Sequence, residues 1–257
     1  MNKIQYVRAF ADNYIWIIGT AESPAAVIVD PGDAAPVEHF LREHDYRPQA
    51  VLITHHHADH TGGIAALADR YDLTVYGPAR ESIPGVTEPL EGGEHIELAR
   101  GTLAFDVIET PGHTRGHLSY VGEGSLFCGD TLFTGGCGRL FEGSPEQMYR
   151  SLEKLRALPD EIQVYCAHEY TLANLAFARV VEPKSESLRR RDTEAKALRR
   201  EGLSTVPAAL ALEKATNPFL RCHLPGVVEA ASGFVGHPLQ PGAETFAVVR
   251  HWKDTLD

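Results

Sequence analysis

Thr54-His55-His56-His57-Ala58-Asp59-His60-Thr61-Gly62-Gly63 is the stretch on which the reading of this chain turns. Ala50-Val51-Leu52-Ile53 leads into it, and that apolar, β-branched run is short enough to be a buried strand. Gly62-Gly63 and the Ala-rich segment 64–71 predict a turn into a helix. Imidazole is the commonest protein ligand for zinc-like cations, and carboxylate is the next hard donor. Side chains alternate along a strand, so His55 and His57 point one way and His56 the other. Asp59 and His60 come after the bend and reach a second point in space. The stretch therefore offers two pairs of metal donors. Four histidines and one aspartate in six positions exceed what packing or a solvated face requires.

A chain of 257 residues is long enough for one large or two small domains with a proper core. Its 43% hydrophobic and 23% charged residues are those of an ordinary soluble globular protein. The first residues lack an apolar core of signal-peptide length, and no stretch approaches a membrane span. The expected location is the cytoplasm, with no membrane partner. Cys128, Cys137, Cys166 and Cys222 show no C-x-x-C spacing, so neither a disulfide framework nor a zinc ribbon is expected. Cys128 and Cys166 read as small buried thiols in strands. A net charge of −11 argues against nucleic acid as a partner, because neutralising phosphates needs a basic face.

Strands are expected at 14–18 and 25–29, joined antiparallel, then at 51–54, 73–76, 103–109, 118–121, 125–128 and 163–166. Helices are expected at 36–44, from Ser144-Pro145-Glu146 onward with Met148, Leu152 and Leu155 on one face, at 172–181 and at 188–200. Segment 82–94, rich in Gly, Pro and Glu, reads as loop. Arg189-Arg190-Arg191 reads as the solvated face of a helix that also carries Glu186, Asp192 and Glu194. Strand signals become sparse after Thr171. The expected division is a catalytic domain over 1–169 and a helical domain over 170–257.

Three further ligand-type residues stand at strand ends: His113 after Thr110-Pro111-Gly112, Asp130 after Cys128-Gly129, and His168 after Cys166-Ala167. With His55, His57, Asp59 and His60 they make five imidazoles and two carboxylates. That is too many donors for one tetrahedral ion, and it suits two divalent ions if one carboxylate is shared. Asp130 is the expected bridge, because Gly129 permits close approach. Asp30 and His117 are candidates to hold the ligand imidazoles from behind. His39, His44, His95, His223 and His237 read as surface or loop residues.

T-H-H-H-x-D-H, T-P-G-H-T-x-G-H, C-G-D-T-L-F and A-H-E-Y-T resemble the motifs of the metallo-β-lactamase superfamily. The closer resemblance, from Tyr14 to Lys253, is to its hydroxyacylglutathione hydrolase (glyoxalase II) family. Gly136-Cys137-Gly138-Arg139-Leu140-Phe141-Glu142-Gly143 and the helical tail carry it. The resemblance implies an α+β fold, an αββα sandwich followed by a small, mostly helical domain that binds glutathione. It implies a binuclear centre, zinc first and iron or manganese as alternatives. His55, His57 and His113 would hold one ion, Asp59, His60 and His168 the other, and Asp130 both. It further implies that Arg139, Phe141, Tyr170, Arg250 and Lys253 hold the substrate. Two positions depart from the family pattern: Arg139 stands for a lysine, and Phe141 lacks the phenol found in some members.

The implied reaction is hydrolysis of S-D-lactoylglutathione to glutathione and D-lactate by a metal-held hydroxide, the second step of methylglyoxal detoxification. Asp59 would also orient the water, and a monomer is the family-like expectation. Arg250 and Lys253 fall on one face if their segment is helical; apart from the resemblance, they read as a solvent-facing terminal pair. A persulfide dioxygenase would need only three ligands occupied and no Arg-x-x-Lys tail, an RNA-processing nuclease a basic surface, and a β-lactamase an exported chain. A non-catalytic relative would have lost some of the seven ligands.

Overall fold

The structure, a computed structural model, describes residues 2–21 and 23–256. It divides into two compact units, Met1–Glu109 with Thr114–Gly129, and Thr110–His113 with Asp130–Asp257.

The first unit begins with β1 (Lys3–Ala9), β2 (Asn13–Gly19) and β3 (Ala25–Val29), paired antiparallel in that order. Next come α1 (Ala34–Glu43), β4 (Arg47–Leu52), α2 (Ala58–Thr61), α3 (Ile64–Arg70), β5 (Thr74–Pro78) and β6 (Glu88–Leu90). β3 through β6 run parallel; helices make the first two crossovers and the loop 79–87 the third. Asp33 caps α1 by accepting from the Ala35 amide at 3.0 Å. One face of this sheet buries Ile15, Ile17, Ile28, Val51 and Val75 against Val37 and Leu41 of α1 and Ile64 and Leu67 of α3. Every residue of β2 and β3 is buried, so both faces of the sheet are covered, and these strands read as continuous apolar runs.

The rest of the unit is an antiparallel meander of β7 (His95–Leu98), β8 (Leu103–Glu109), β9 (Leu118–Gly122) and β10 (Ser125–Gly129). Two bonds tie it to the end of β4: the buried Tyr120 hydroxyl donates to Ile53 O at 2.7 Å, and the Leu118 amide to Thr54 O at 2.8 Å.

The sequence reading did not anticipate β1, whose polar residues leave it only half-buried. It also took 82–94 as loop, whereas Glu88–Leu90 pairs with β5. A three-residue strand carrying a proline has no periodicity to read, and proline is tolerated at an edge.

The second unit holds the short hairpin β11 (Leu132–Phe133) and β12 (Gly136–Cys137), α4 (Pro145–Arg156), β13 (Gln163–Cys166), α5 (Thr171–Val181) and α6 (Glu186–Arg200). Then follow β14 (Ala208–Ala209), which pairs with β13, α7 (Leu210–Thr216), α8 (Pro225–Val235) and α9 (Ala243–Asp254). Ser144 and Gln147 form the capping box of α4, with Pro145 in the first turn and Met148, Leu152 and Leu155 buried, as their spacing predicts. Arg191 departs from its expected solvated face. It is buried, paired with Glu213 and Thr216 of α7, and Glu213 Oε2 accepts from the Gly135 amide at 2.8 Å. A charge run on a helix does not reveal which member faces inward. No helix of the described residues is long and apolar enough to cross a membrane.

Candidate metal centre

β3 and β4 are parallel neighbours in register, Val29 beside Leu52. The residues just past their carboxyl ends, Asp30 and Thr54, therefore meet. The Thr54 amide donates to Asp30 Oδ1 at 2.8 Å, and the Thr54 hydroxyl donates to Asp30 Oδ2 at 2.8 Å. With its proton so committed, Thr54 Oγ1 accepts from His55 Nδ1 at 3.0 Å. Asp30 Oδ2 also lies 3.1 Å from His60 Nδ1. Each imidazole thus presents its Nε2 lone pair away from the brace, the tautomer a ligand needs. Asp30 does what the sequence suggested for it.

On the same loop, His55 Nε2 and His57 Nδ1 converge to 3.0 Å, and His60 Nε2 lies 3.4 Å from Asp59 Oδ2. Asn13 donates to Asp59 Oδ2 at 2.9 Å. Asp59 and His60 ride on the one-turn α2, so a strand end and a helical turn present the two pairs. His117 is fully buried and stacks on His55, ring centroids 5.0 Å apart. Gly129 has φ +45°, and a Cβ there would lie 2.3 Å from Thr54 Oγ1, so glycine alone permits this approach. His56 points the opposite way, its Nδ1 2.8 Å from Glu81 Oε2.

In the second unit, Asp130 presents one oxygen to each of two imidazoles. Oδ2 is 3.4 Å from His113 Nε2 and Oδ1 is 3.3 Å from His168 Nε2. His113 Nδ1 donates to Arg139 O at 2.9 Å, which again leaves Nε2 as the donor atom for a ligand. A carboxylate with its two oxygens aimed at different imidazoles has the chemistry of a bridging ligand. These donor sets fit divalent metal: buried nitrogens and carboxylate oxygens converge, their tautomers set from behind.

A cavity of about 480 Å³ in the second unit is lined by His113, Asp130, Phe133, Cys137, Arg139, Phe141, Tyr170, Ala173, Asn174, Arg250 and Lys253. All five residues expected to hold substrate line it. Tyr170 stacks parallel on His168 at 4.7 Å, and the exposed Phe141 ring meets His113 edge-on at 5.2 Å. Arg250 and Lys253 are 2% and 7% exposed, so they are not a solvent-facing pair. Arg250 donates to Cys137 O at 3.0 Å and to Asp254 Oδ1 at 2.8 Å, and lies over the Phe219 ring.

Cys128 and Cys166 are buried as expected. Burial pushes the Cys166 thiol up to about 12 and the Cys137 thiol to about 11, against the pull of Thr134 and Arg250 respectively. Sequence reasoning missed Asn13, Thr54 and Glu81, which touch candidate ligands or their neighbours. Only Thr54, inside the motif, carried any signal.

Comparison with known proteins agrees. The metallo-beta-lactamase superfamily model matches residues 13–168, which places the chain in that superfamily. The model described as hydroxyacylglutathione hydrolase C-terminus matches 169–256. Hydroxyacylglutathione hydrolase of Alkalilimnicola ehrlichii is 53% identical over 254 residues, 99% of each chain. The chain belongs to the hydroxyacylglutathione hydrolase family. Among solved structures, ETHE1 from Myxococcus xanthus is 25% identical with a TM-score of 0.66, covering 99% of both chains. TTHA1623 in a di-iron-bound form is 26% identical with a TM-score of 0.60, covering 83% of this chain and 98% of that one. The fold is the expected metallo-β-lactamase fold with a helical C-terminal region.

Proposed function

We propose that this chain hydrolyses S-2-hydroxyacylglutathione thioesters, S-D-lactoylglutathione first among them, to glutathione and the free hydroxy acid. The observation that carries the reading is a single cavity whose wall holds both metal-type donors, His113 and Asp130, and the cations Arg139, Arg250 and Lys253. In a protein of net charge −11, three cations lining one cavity suit an anionic ligand, and glutathione brings two carboxylates.

His55, His57 and His113 would hold one ion and Asp59, His60 and His168 the other, with Asp130 available to both. The di-iron form of a structural relative supports two ions, and zinc is the first choice for this chain, with iron or manganese tolerated by the same donors. A metal pair held there would supply a water acidic enough to ionise near neutral pH and an electrophile for the thioester carbonyl. Arg250 and Lys253 hold the substrate's carboxylate end, and Arg139 closes the rim. Tyr170 offers a phenol and keeps His168 in plane. Phe141 offers only an apolar edge. Asp59, whose Oδ2 accepts from Asn13 at 2.9 Å, orients the attacking water. The leaving thiol has a pKa of about 8.5, so it departs as thiolate and needs no strong acid from the protein. Residues 1–169 form the catalytic domain and 170–257 the glutathione-binding domain of a cytoplasmic monomer in this reading, and the reaction completes methylglyoxal detoxification.

The test offers the purified protein S-D-lactoylglutathione, a coenzyme A thioester of the same acid, and a β-lactam. Cleavage confined to the glutathione thioester supports the proposal, and equal cleavage of the coenzyme A thioester contradicts it.

A further inference from the structure

Glu81 lies in the turn after β5, outside every motif of the sequence, yet its side chain is only 3% exposed. Four hydrogen bonds converge on its carboxylate, divided evenly between the two oxygens. Oε2 accepts from the His56 amide at 2.6 Å and lies 2.8 Å from His56 Nδ1. Oε1 accepts from the Thr114 hydroxyl at 2.5 Å and from the Gly116 amide at 2.9 Å. Room for this is specific: a Cβ at Gly116 would stand 2.5 Å from Glu81 Cγ.

His56 is the residue between His55 and His57, and Thr114 directly follows His113. We infer that Glu81 is a positioning residue for the metal ligands, joining the histidine stretch to the segment that starts one residue past His113. One oxygen serves each loop, so the carboxylate sets the spacing of the two loops as a rigid bidentate spacer. It holds the amide between the paired imidazoles still, and so fixes the angle at which His55 and His57 converge. It also accounts for the third histidine of the run: His56 is no ligand, but its ring doubles the anchor on Oε2. An amide at this position cannot replace the carboxylate, because one of its two ends would present N–H groups to N–H or O–H donors. Asp30 braces the same stretch from the buried side, and Glu81 grips it from the other.

The inference rests on the reading of these residues as a metal site, and its test uses metal alone as the probe. Glu81→Gln and Glu81→Ala are compared with the wild-type protein by chelator competition for zinc, by the visible absorption of the cobalt-substituted protein, and by thioester kinetics. The expected result is zinc affinity about 10- to 100-fold weaker, shifted cobalt bands, and a comparable fall in kcat with KM within about twofold. Gly116→Ala, whose methyl displaces the same carboxylate, moves the cobalt bands in the same way, and it carries the test if Glu81→Ala does not fold. Wild-type zinc affinity and cobalt bands in these variants, with only a lowered melting temperature, would overturn the inference. Wild-type protein that binds zinc but leaves the thioester intact counts against the proposed function alone.

Discussion

The histidine stretch and the cationic pocket are built in opposite ways. His55, His57, Asp59 and His60 lie within six consecutive residues at the end of one strand, fixed by Asp30, Thr54 and Asn13. Arg139, Arg250 and Lys253 come from a loop and from the last helix, and the bond from Arg250 to Cys137 O spans 113 residues of chain. Donors for a metal must converge within a few ångströms and hold their angles, which a strand end followed by one helical turn achieves locally. Charges that hold the far end of a flexible substrate tolerate looser placement and can be gathered from distant segments. The first region should therefore govern chemistry and metal, and the second should govern substrate affinity.

The largest expected effect falls in the first region. His57→Ala should lower kcat/KM by about 10³-fold, as several kcal/mol of electrophilic stabilisation is lost. Metal analysis of the same variant should show a deficit. A normal metal content with unchanged kcat would erase the distinction between the regions. In the second region, Lys253→Ala should raise KM by about 10- to 100-fold while kcat stays within about twofold, the size of a charged hydrogen bond. A loss confined to kcat would reverse the assignment.

A third effect concerns stability. The Cys166 thiol is raised to about 12 from 9.0 by burial, so the unfolded chain gives up its proton first as pH rises. Its contribution is intact below pH 9 and is lost as pH rises from there through about 12. Urea unfolding at pH 8.5 and 10.5 should show a drop that Cys166→Ala makes shallower. Both thiols should also resist alkylation at neutral pH. The smallest effect is at the rim of the pocket. Phe141→Tyr restores a phenol and should lower KM about threefold, the size of one neutral hydrogen bond, with kcat unchanged.

Much of this was legible in the sequence, and the exceptions have physical causes. The apolar run before Thr54 predicted β4, the capping signature at Ser144 predicted α4, and the glycine before Asp130 predicted a close approach. The donors read as ligand-type residues because neither packing nor solvation calls for histidine at such density. Glu81 was invisible because a single carboxylate in a turn looks like any solvated glutamate until four donors are seen around it. Arg250 and Lys253 were ambiguous because burial of a terminal helix depends on partners far away in the chain. Arg191 failed for the same reason, since only the fold reveals that Glu213 waits for it. β1 escaped because its polar, half-buried residues show no sustained alternation, and β6 because three residues are too few to show any.

The most direct measurement is hydrolysis of S-D-lactoylglutathione by the purified protein with metal content determined on the same sample. The account predicts rapid hydrolysis with close to two metal ions per chain, and a His57→Ala variant in which hydrolysis and metal content both fall. A single iron per chain, with no thioester hydrolysis and an activity that oxygenates sulfur instead, would contradict it.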